Sequence, residues 1–414
     1  MFAKLIRPLG LCLILALPAL VLRMGGIHPS PLIALLLFGA GVVAASFVLA
    51  WAAEAAQVDI SGGLAIAILA VIAVLPEYAV DLYFAFTAGS NPEYVAYAAA
   101  NMTGSNRLLL GLGWSLVALI ALAVAKRRTG KSLRALTLDS GHRVELGFLL
   151  VASVLAFTIP LTSQIHITLG IGLLIFFGFY LWKVSRGDTE EPELVGPAAT
   201  IGALPVKVRR PLVVGLFVGS ATVILMCAEP FADALIESGA QLGIDEFLLV
   251  QWLAPLASEA PEFIIAILFA LRGNGAGAIG MLISAKVNQW TLLVGSLPVA
   301  YLMGGGDLAL NLDSRQVEEF LLTATQTLLG IAALLALRFP RWAAWTLLGL
   351  FAVQFLFPGQ EARYVLSGVY AVIALGAFVY HRRYLLPTLA APFRAHPDEV
   401  AAAEPVESGR RSGS

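Results

Sequence analysis

The stretch AVIAVLPEYAVDLYFAF, residues 70–86, is a mainly apolar run with a proline and a carboxylate side by side in its middle, Pro76 and Glu77. A second stretch, LAPLASEAPEFIIAILFA, repeats the pair as Pro261 and Glu262, 185 residues later. Proline inside a helix removes a backbone hydrogen bond and bends the chain. A charge at the centre of a bilayer costs at least about 2.5–3.5 kcal/mol on insertion scales. Two segments that each carry both features point to a site rather than to packing. The carbonyls freed at such breaks can face a cation beside the carboxylate.

The surrounding chain sets the solvent. Of its 414 residues 59% are hydrophobic and 13% charged, and mean hydropathy is +0.86. A soluble domain is nearer half apolar and a quarter charged. The excess falls in long runs, so the expected fold is all-α and polytopic in a membrane. A transmembrane barrel, with short alternating strands, is excluded. A net charge of −1 argues against a nucleic-acid partner. Cys12 and Cys227 both lie in apolar runs and offer no disulfide framework or CxxC motif.

Spans of about 20 apolar residues give twelve segments, near 5–22, 31–53, 60–87, 94–125, 144–162, 165–183, 211–237, 244–271, 277–303, 317–337, 342–357 and 364–380. The first follows Lys4 and Arg7 as a signal peptide would, but Arg23 comes directly after it and no A-x-A site is present, so it reads as a helix. With the N-terminus inside, 21 of the 26 Lys and Arg residues fall in inner segments, 3 (Arg23, Arg315, Arg363) in outer loops, and 2 (Arg107, Lys286) within spans. That bias orients the chain in a plasma membrane with both termini cytoplasmic.

The polar segment 184–210 divides the chain into halves. Gln57 and Ile60 in AAQVDIS recur as Gln241 and Ile244 in GAQLGID, each 184 apart, in register with the Pro-Glu pairs save for one inserted residue. Span 60–87 runs outward and span 244–271 inward, so the repeats are inverted. Inverted repeats meeting at interrupted helices near the midplane are a transporter architecture. The expected organisation is an extra helix in 1–30, a first half 31–183, a linker 184–210, a second half 211–357, an extra helix in 358–391 and a disordered tail 392–414 rich in Pro, Glu, Arg and Ser.

The span after each Pro-Glu helix is polar in its middle: Asn101, Thr103, Ser105, Asn106 and Arg107 in the first, Ser284, Lys286, Asn288 and Gln289 in the second. Such side chains let helices approach and hydrogen-bond. Oxygen donors beside paired glutamates also suit a hard cation such as Ca²⁺ or Na⁺. LPE followed by NMTGSN resembles the signature of the calcium/cation antiporter superfamily, which includes the sodium/calcium exchangers; the likeness covers about 51–116 and 229–300. It implies ten core helices as two inverted five-helix halves, with one extra helix at each end here. It implies cation ligation by Glu77 and Glu262, with Ser105, Asn101 and Asn106 at the other motif positions.

The departures are specific. Ala73-Val74 replaces the motif's Thr-Ser before the first LPE, and Ser258-Glu259 stands there in the second repeat. Ser284-Ala285-Lys286 replaces Gly-Ser-Asn, with Met281 for the preceding asparagine, and the final N/D positions are Leu109 and Gln289. Glu259 and Glu262 share a helix face. Lys286 is placed to neutralise one of them and to stand in for a bound Na⁺, and Arg107 to do the same opposite Glu77 or Asp81. Glu229, Asp233 and Glu237 share a face that could line an outward path, while Glu54 and Asp59 read as solvated at an inner helix end.

The reading is a secondary active antiporter, exchanging Ca²⁺ or another cation for H⁺ or Na⁺ by alternating access. Its partners are small inorganic cations and the lipid bilayer, with no resident cofactor. Glu77, Glu262 and Glu259 would bind the ion, supported by Ser258, Ser105, Asn101, Asn106 and Gln289, with Lys286, Arg107 and Asp81 setting charge. One alternative is an exchanger-like protein that has lost transport, given the missing hydroxyls. The other is an intramembrane enzyme, for which no nucleophile–base set or metal-ligand spacing is visible.

Overall fold

The computed structural model describes residues 3–59, 74–186, 194–357 and 359–394. The first half comprises α1 (Ala3–Gly25), α2 (Pro31–Ala56), α3 (Leu75–Ala88), α4 (Tyr94–Thr129), α5 (His142–Thr162) and α6 (Ile167–Val184). A short helix α7 (Gly196–Gly202) leads into α8 (Val206–Leu242), α9 (Glu246–Arg272), α10 (275–303), α11 (Ser314–Leu334), α12 (Arg341–Leu356), α13 (Gln360–Tyr380) and α14 (Arg382–Ala390). Nine of these are long and apolar enough to cross a membrane, among the described residues and by length and composition alone. The protein is an all-α polytopic membrane protein.

Two pairs of three-residue strands fix the topology. β1 (Ala135–Thr137), between α4 and α5, pairs antiparallel with β4 (Arg338–Pro340), between α11 and α12. β2 (Gln164–His166), between α5 and α6, pairs antiparallel with β3 (Ala309–Asn311), between α10 and α11. Strands can pair only if their loops lie on the same side of the membrane. Six long helices separate β1 from β4 and four separate β2 from β3, both even, provided the seven-residue α7 does not cross. One helix separates β1 from β2, so the two pairs lie on opposite faces. In the sequence order of the halves, β1 corresponds to β3 and β2 to β4, so each pair is the inverted image of the other.

The same relation appears inside the bundle. α4 carries a π-helical turn at Leu109–Trp114 and α10 carries one at Gln289–Leu293, starting 180 residues apart (289 − 109). Single π turns cluster at functional sites. Each follows directly on the polar segment of its helix. One large core joins both halves around Trp114, Phe148, Phe231, Phe320 and Phe339, while α1 packs on α2 and α8 through separate small clusters.

The two Pro-Glu pairs are treated differently by the backbone. Pro76 sits in the first turn of α3, where its missing N–H has no helical partner to lose; the preceding residues 60–73, including Ala73, lie outside those described. Pro261 does not interrupt α9, which runs through it and through Pro255. The lost hydrogen bonds still free the carbonyls four residues earlier, at Ala257 and Gln251.

Just beyond the C-terminal end of α2, Asp59 is not simply solvated. It accepts a bidentate pair from Arg209 at 2.7 Å each and a third bond from Arg210 at 3.2 Å. Arg209 also donates to the carbonyls of Gly202 and Leu204, tying α2, α7 and α8 together. The two guanidinium groups hold the Asp59 carboxyl down at about 2.

Candidate functional site

α3 and α4 lie side by side so that residues four apart on each form two rungs. In the first rung, Ser105 Oγ lies 2.5 Å from Glu77 Oε1 and also contacts Glu259 Oε1 from α9. Gln289, at the π turn of α10, donates Nε2 to Glu77 Oε1 at 3.1 Å, to Ser105 Oγ at 2.8 Å and to Glu259 Oε1 at 2.7 Å. In the second rung, Asn101 Nδ2 donates to Asp81 Oδ1 at 2.8 Å. All six side chains are buried. Tyr78 Oη closes α3 onto α10 with a 2.8 Å bond to Asn288 Oδ1.

A hydroxyl has one proton. Ser105 can therefore donate to only one of its two carboxyl oxygens at a time. The Glu77–Ser105–Glu259 triplet thus brings two carboxyl groups onto one hydroxyl. Four further oxygens of the same residues, Asp81 Oδ2, Asn101 Oδ1, Glu259 Oε2 and Gln289 Oε1, are buried without a hydrogen-bond partner among the described residues. Buried polar atoms are almost always satisfied, and carboxylate and amide oxygens are the donor set of hard cations. No group of three or more His, Cys, Asp or Glu residues close enough to hold a metal occurs among the described residues. A cation here would rely on amide, hydroxyl and backbone oxygens as well as on acids.

The close approach of α4 to α9 builds this site. A Cβ added at Gly104 would lie 1.8 Å from the backbone oxygen of Gln251, the carbonyl that Pro255 frees. Only glycine fits there, and Ser105 is thereby carried up to Glu259.

Other residues singled out in the sequence take different places. Glu262 is half-buried one helical turn beyond Glu259 and makes no hydrogen bond among the described residues. It is within electrostatic reach of Glu77 and Glu259. The carboxyl joined to Glu77 through Ser105 is thus that of Glu259. Ser258 turns back on its own helix, donating to the carbonyls of Ala254 and Pro255.

Lys286 forms no ion pair with Glu259 or Glu262. Its fully buried ammonium donates to Asn106 O at 2.5 Å and Asn106 Oδ1 at 2.8 Å. Asn106 and Lys286 are 180 residues apart (286 − 106), so symmetry-related positions of the two repeats touch each other.

Arg107 does not face Glu77 or Asp81. It pairs with Glu319 of α11, donates to Gln354 Oε1 at 3.1 Å and lies over the Trp252 ring at 5.0 Å. Arg363, expected in an outer loop, is buried in α13, where it pairs with Glu319 and reaches Glu318 at 3.5 Å. Neither Glu318, Glu319 nor Gln251 stood out in the sequence. The two acids open a span whose hydropathy signal begins just at them, and the amide is one residue in a greasy run.

On the α8 face, Glu229 pairs with Arg23 of α1, and Asp233 accepts from Tyr83 Oη at 2.8 Å and Tyr94 Oη at 3.3 Å. These groups continue the acidic face of α3 beyond Asp81, toward the β2–β3 side.

Two inverted five-helix halves with buried acids and amides where they meet define an inverted-repeat membrane transporter. The chain belongs to the sodium/calcium exchanger family, whose model matches residues 30–185 and 212–359, within the calcium/cation antiporter superfamily. It is similar to the H⁺/Ca²⁺ exchanger CAX, at 42% identity and a TM-score of 0.89 over 95% of this chain and 99% of that one. It shares its fold with the Ca²⁺/H⁺ antiporter YfkE (18% identity, TM-score 0.59, 89% of this chain, 99% of that one). The sodium-calcium exchanger NCX_Mj matches likewise (18% identity, TM-score 0.51, 83% of this chain, 99% of that one). Comparison with curated proteins gives no match.

Proposed function

We propose that the chain is a secondary active antiporter that exchanges Ca²⁺ for H⁺ by alternating access. The site is the cluster of Glu77, Ser105, Glu259, Gln289, Asp81 and Asn101, with Glu262 at its edge. The observation that carries the reading is the convergence of two carboxyl groups on one hydroxyl beside orphaned oxygens in one buried cluster. A divalent cation entering among those oxygens stabilises both carboxylates in charged form, so any proton held there leaves. Proton return favours release of the ion. The two cargoes compete for the same oxygens, which is the requirement for exchange. Similarity to an H⁺/Ca²⁺ exchanger over nearly the whole chain supports H⁺ over Na⁺ as the coupling ion.

Lys286 adds a fixed positive charge where the first repeat has Asn106. It leaves no room for a further monovalent cation at that position, in line with the hydroxyl ligands absent at Ala73 and Val74. The chain is placed in a plasma membrane with both termini cytoplasmic, on the arginine and lysine bias of its loops. The linker and the two terminal helices are read as additions to the ten-helix exchanger.

The test is flux in proteoliposomes. A pH gradient alone, without sodium, is expected to drive Ca²⁺ uptake, and Glu77→Gln and Glu259→Gln are each expected to abolish it. Uptake that requires a sodium gradient refutes the coupling; uptake that survives both substitutions refutes the site. Absence of any cation-dependent thermal stabilisation would instead favour a transport-inactive relative.

A further inference from the structure

The β1–β4 face carries a second site unrelated to the ion cluster. A cleft of about 830 Å³ opens where α12 begins and α13 ends. Three arginines line it, Arg338 on β4 and Arg382 and Arg383 at the start of α14, with Trp342, Tyr380 and Tyr384 between them. All three arginines are exposed, and none makes an ion pair among the described residues. Arg383 rests over the Tyr384 ring at 4.6 Å, which holds its guanidinium beside the cleft. Three like charges converging on one hollow without an acid repel one another and attract an anion.

The apolar surroundings say what kind of anion. Val372, Leu375 and Val379 form an exposed stripe on one face of α13, and Trp345 is exposed on α12. The stripe leads directly to the cleft at Tyr380, which is 82% exposed. Tryptophan and tyrosine mark the level of lipid headgroups, and basic pockets between helix ends at that level hold anionic headgroups. A soluble phosphate would use the arginines and leave the stripe idle; a phospholipid uses both.

We propose that this cleft binds the phosphate headgroup of an anionic phospholipid, with the acyl chains lying along α12 and α13. The site rests on geometry independent of the transport reading. Retention of phosphatidylglycerol against phosphatidylcholine by the full chain in mixed detergent–lipid micelles tests it. At roughly a fivefold effect per basic residue at the membrane surface, R338Q/R382Q/R383Q together weaken the phosphatidylglycerol-dependent part on the order of a hundredfold. The control triple K126Q/R127Q/K131Q, on the same face and equal in charge, is expected to retain most of it.

Equal loss in both triples would reduce the effect to general surface charge and overturn the proposal. Displacement of the lipid by millimolar inorganic phosphate would reassign the cleft to a soluble anion. Lipid binding that appears only after residues 395–414 are deleted would give the cleft to the chain's own acids, among them Asp398 and Glu399. Proton-driven flux serves as the folding control, since neither triple touches the ion cluster.

Discussion

Gly104→Ala changes no candidate ligand and no charge, yet it is expected to stop transport. The added methyl would sit 1.8 Å from the Gln251 backbone oxygen, against an ordinary contact of 3.4 Å or more. If α4 and α9 separate to relieve it, they part by about 1.6 Å, the difference between those distances. Neither helix yields easily, since the clash is with backbone and Ser105 follows directly on α4. The same displacement pulls Ser105 off Glu259. Overpacking of this kind costs about 1–3 kcal/mol of stability, which many membrane proteins survive folded. The assay is therefore paired: thermal inactivation in detergent, and proton-driven Ca²⁺ flux in liposomes. A folded protein with a modestly lowered midpoint and little or no flux is expected. Gly178→Ala, where nothing lies within 4 Å of the added methyl, should leave both unchanged. Wild-type flux and stability in Gly104→Ala would refute the view that backbone contact between α4 and α9 assembles the site.

Three other perturbations separate structural from transport charges. Glu319→Ala strips Arg107 of its carboxylate and leaves Arg363 only the longer contact to Glu318; breaking a buried pair costs about 3–5 kcal/mol, so the inactivation midpoint should fall by several degrees, and an unchanged midpoint would count against the network. Lys286→Met removes an ammonium held about one helical turn from the Ser105 rung, where repulsion of a bound cation is on the order of 3 kcal/mol per unit charge at an effective dielectric near 20; apparent Ca²⁺ affinity should tighten at least tenfold, and equal affinity would strip Lys286 of an electrostatic role. Asp59, held at about 2 against an ordinary 3.8, contributes stability that is fully present above the unfolded value and is lost as pH falls through about 2; Arg209→Ala should flatten the acid-unfolding curve between about pH 4 and 2, and an unaltered curve would refute the clamp.

The spans, the two halves and their inversion were legible because each is written locally, in hydropathy, in loop charge and in the spacing of short motifs. The strand pairs and the matched π turns then agree with what the spacing implied. Side-chain partners were legible only where one motif contains both members. Asn101 and Ser105 on α4 reach acids on the next helix back, so their neighbourhood follows from the α3–α4 hairpin. Arg107 illustrates the limit. It sits within the motif, and local reasoning handed it to Glu77 or Asp81, the nearest acids in sequence. Its partner Glu319 lies on α11, and nothing in the spacing of either residue announces the other. Arg363 was misplaced for a related reason. Hydropathy trims charged residues from the ends of spans, whereas an arginine paired with two acids enters the bundle at no comparable cost.

The site also shows why a symmetric backbone carries asymmetric chemistry. Positions 106 and 286 are equivalent by repeat and meet each other in the middle of the bundle. Two lysines there would place two buried ammonium groups in contact, with the Asn106 side-chain acceptor lost and only the backbone carbonyl of position 106 left to them. Two asparagines would bond but leave the position neutral and open to a cation. One of each lets the Asn106 carbonyl and amide oxygens satisfy the Lys286 ammonium, as observed at 2.5 and 2.8 Å. The same division recurs one rung away. Position 104 is glycine, pressed on the Gln251 carbonyl, while its mate Ser284 instead bonds Tyr180 at 2.5 Å and Glu145 at 3.2 Å. Glu77 shares a hydroxyl with Glu259, while its mate Glu262 stays half-buried at the edge. The asymmetry is thus a division of labour: the first repeat supplies Ser105 and the close approach, and the second supplies the extra acid, the amide of Gln289 and the fixed charge. If that division sets the coupling, replacing Lys286 by Asn, which makes the two positions alike, should restore cation occupancy at the axis and make flux sensitive to sodium. Flux that remains indifferent to sodium in Lys286→Asn would mean that the fixed charge has no part in choosing the coupling ion.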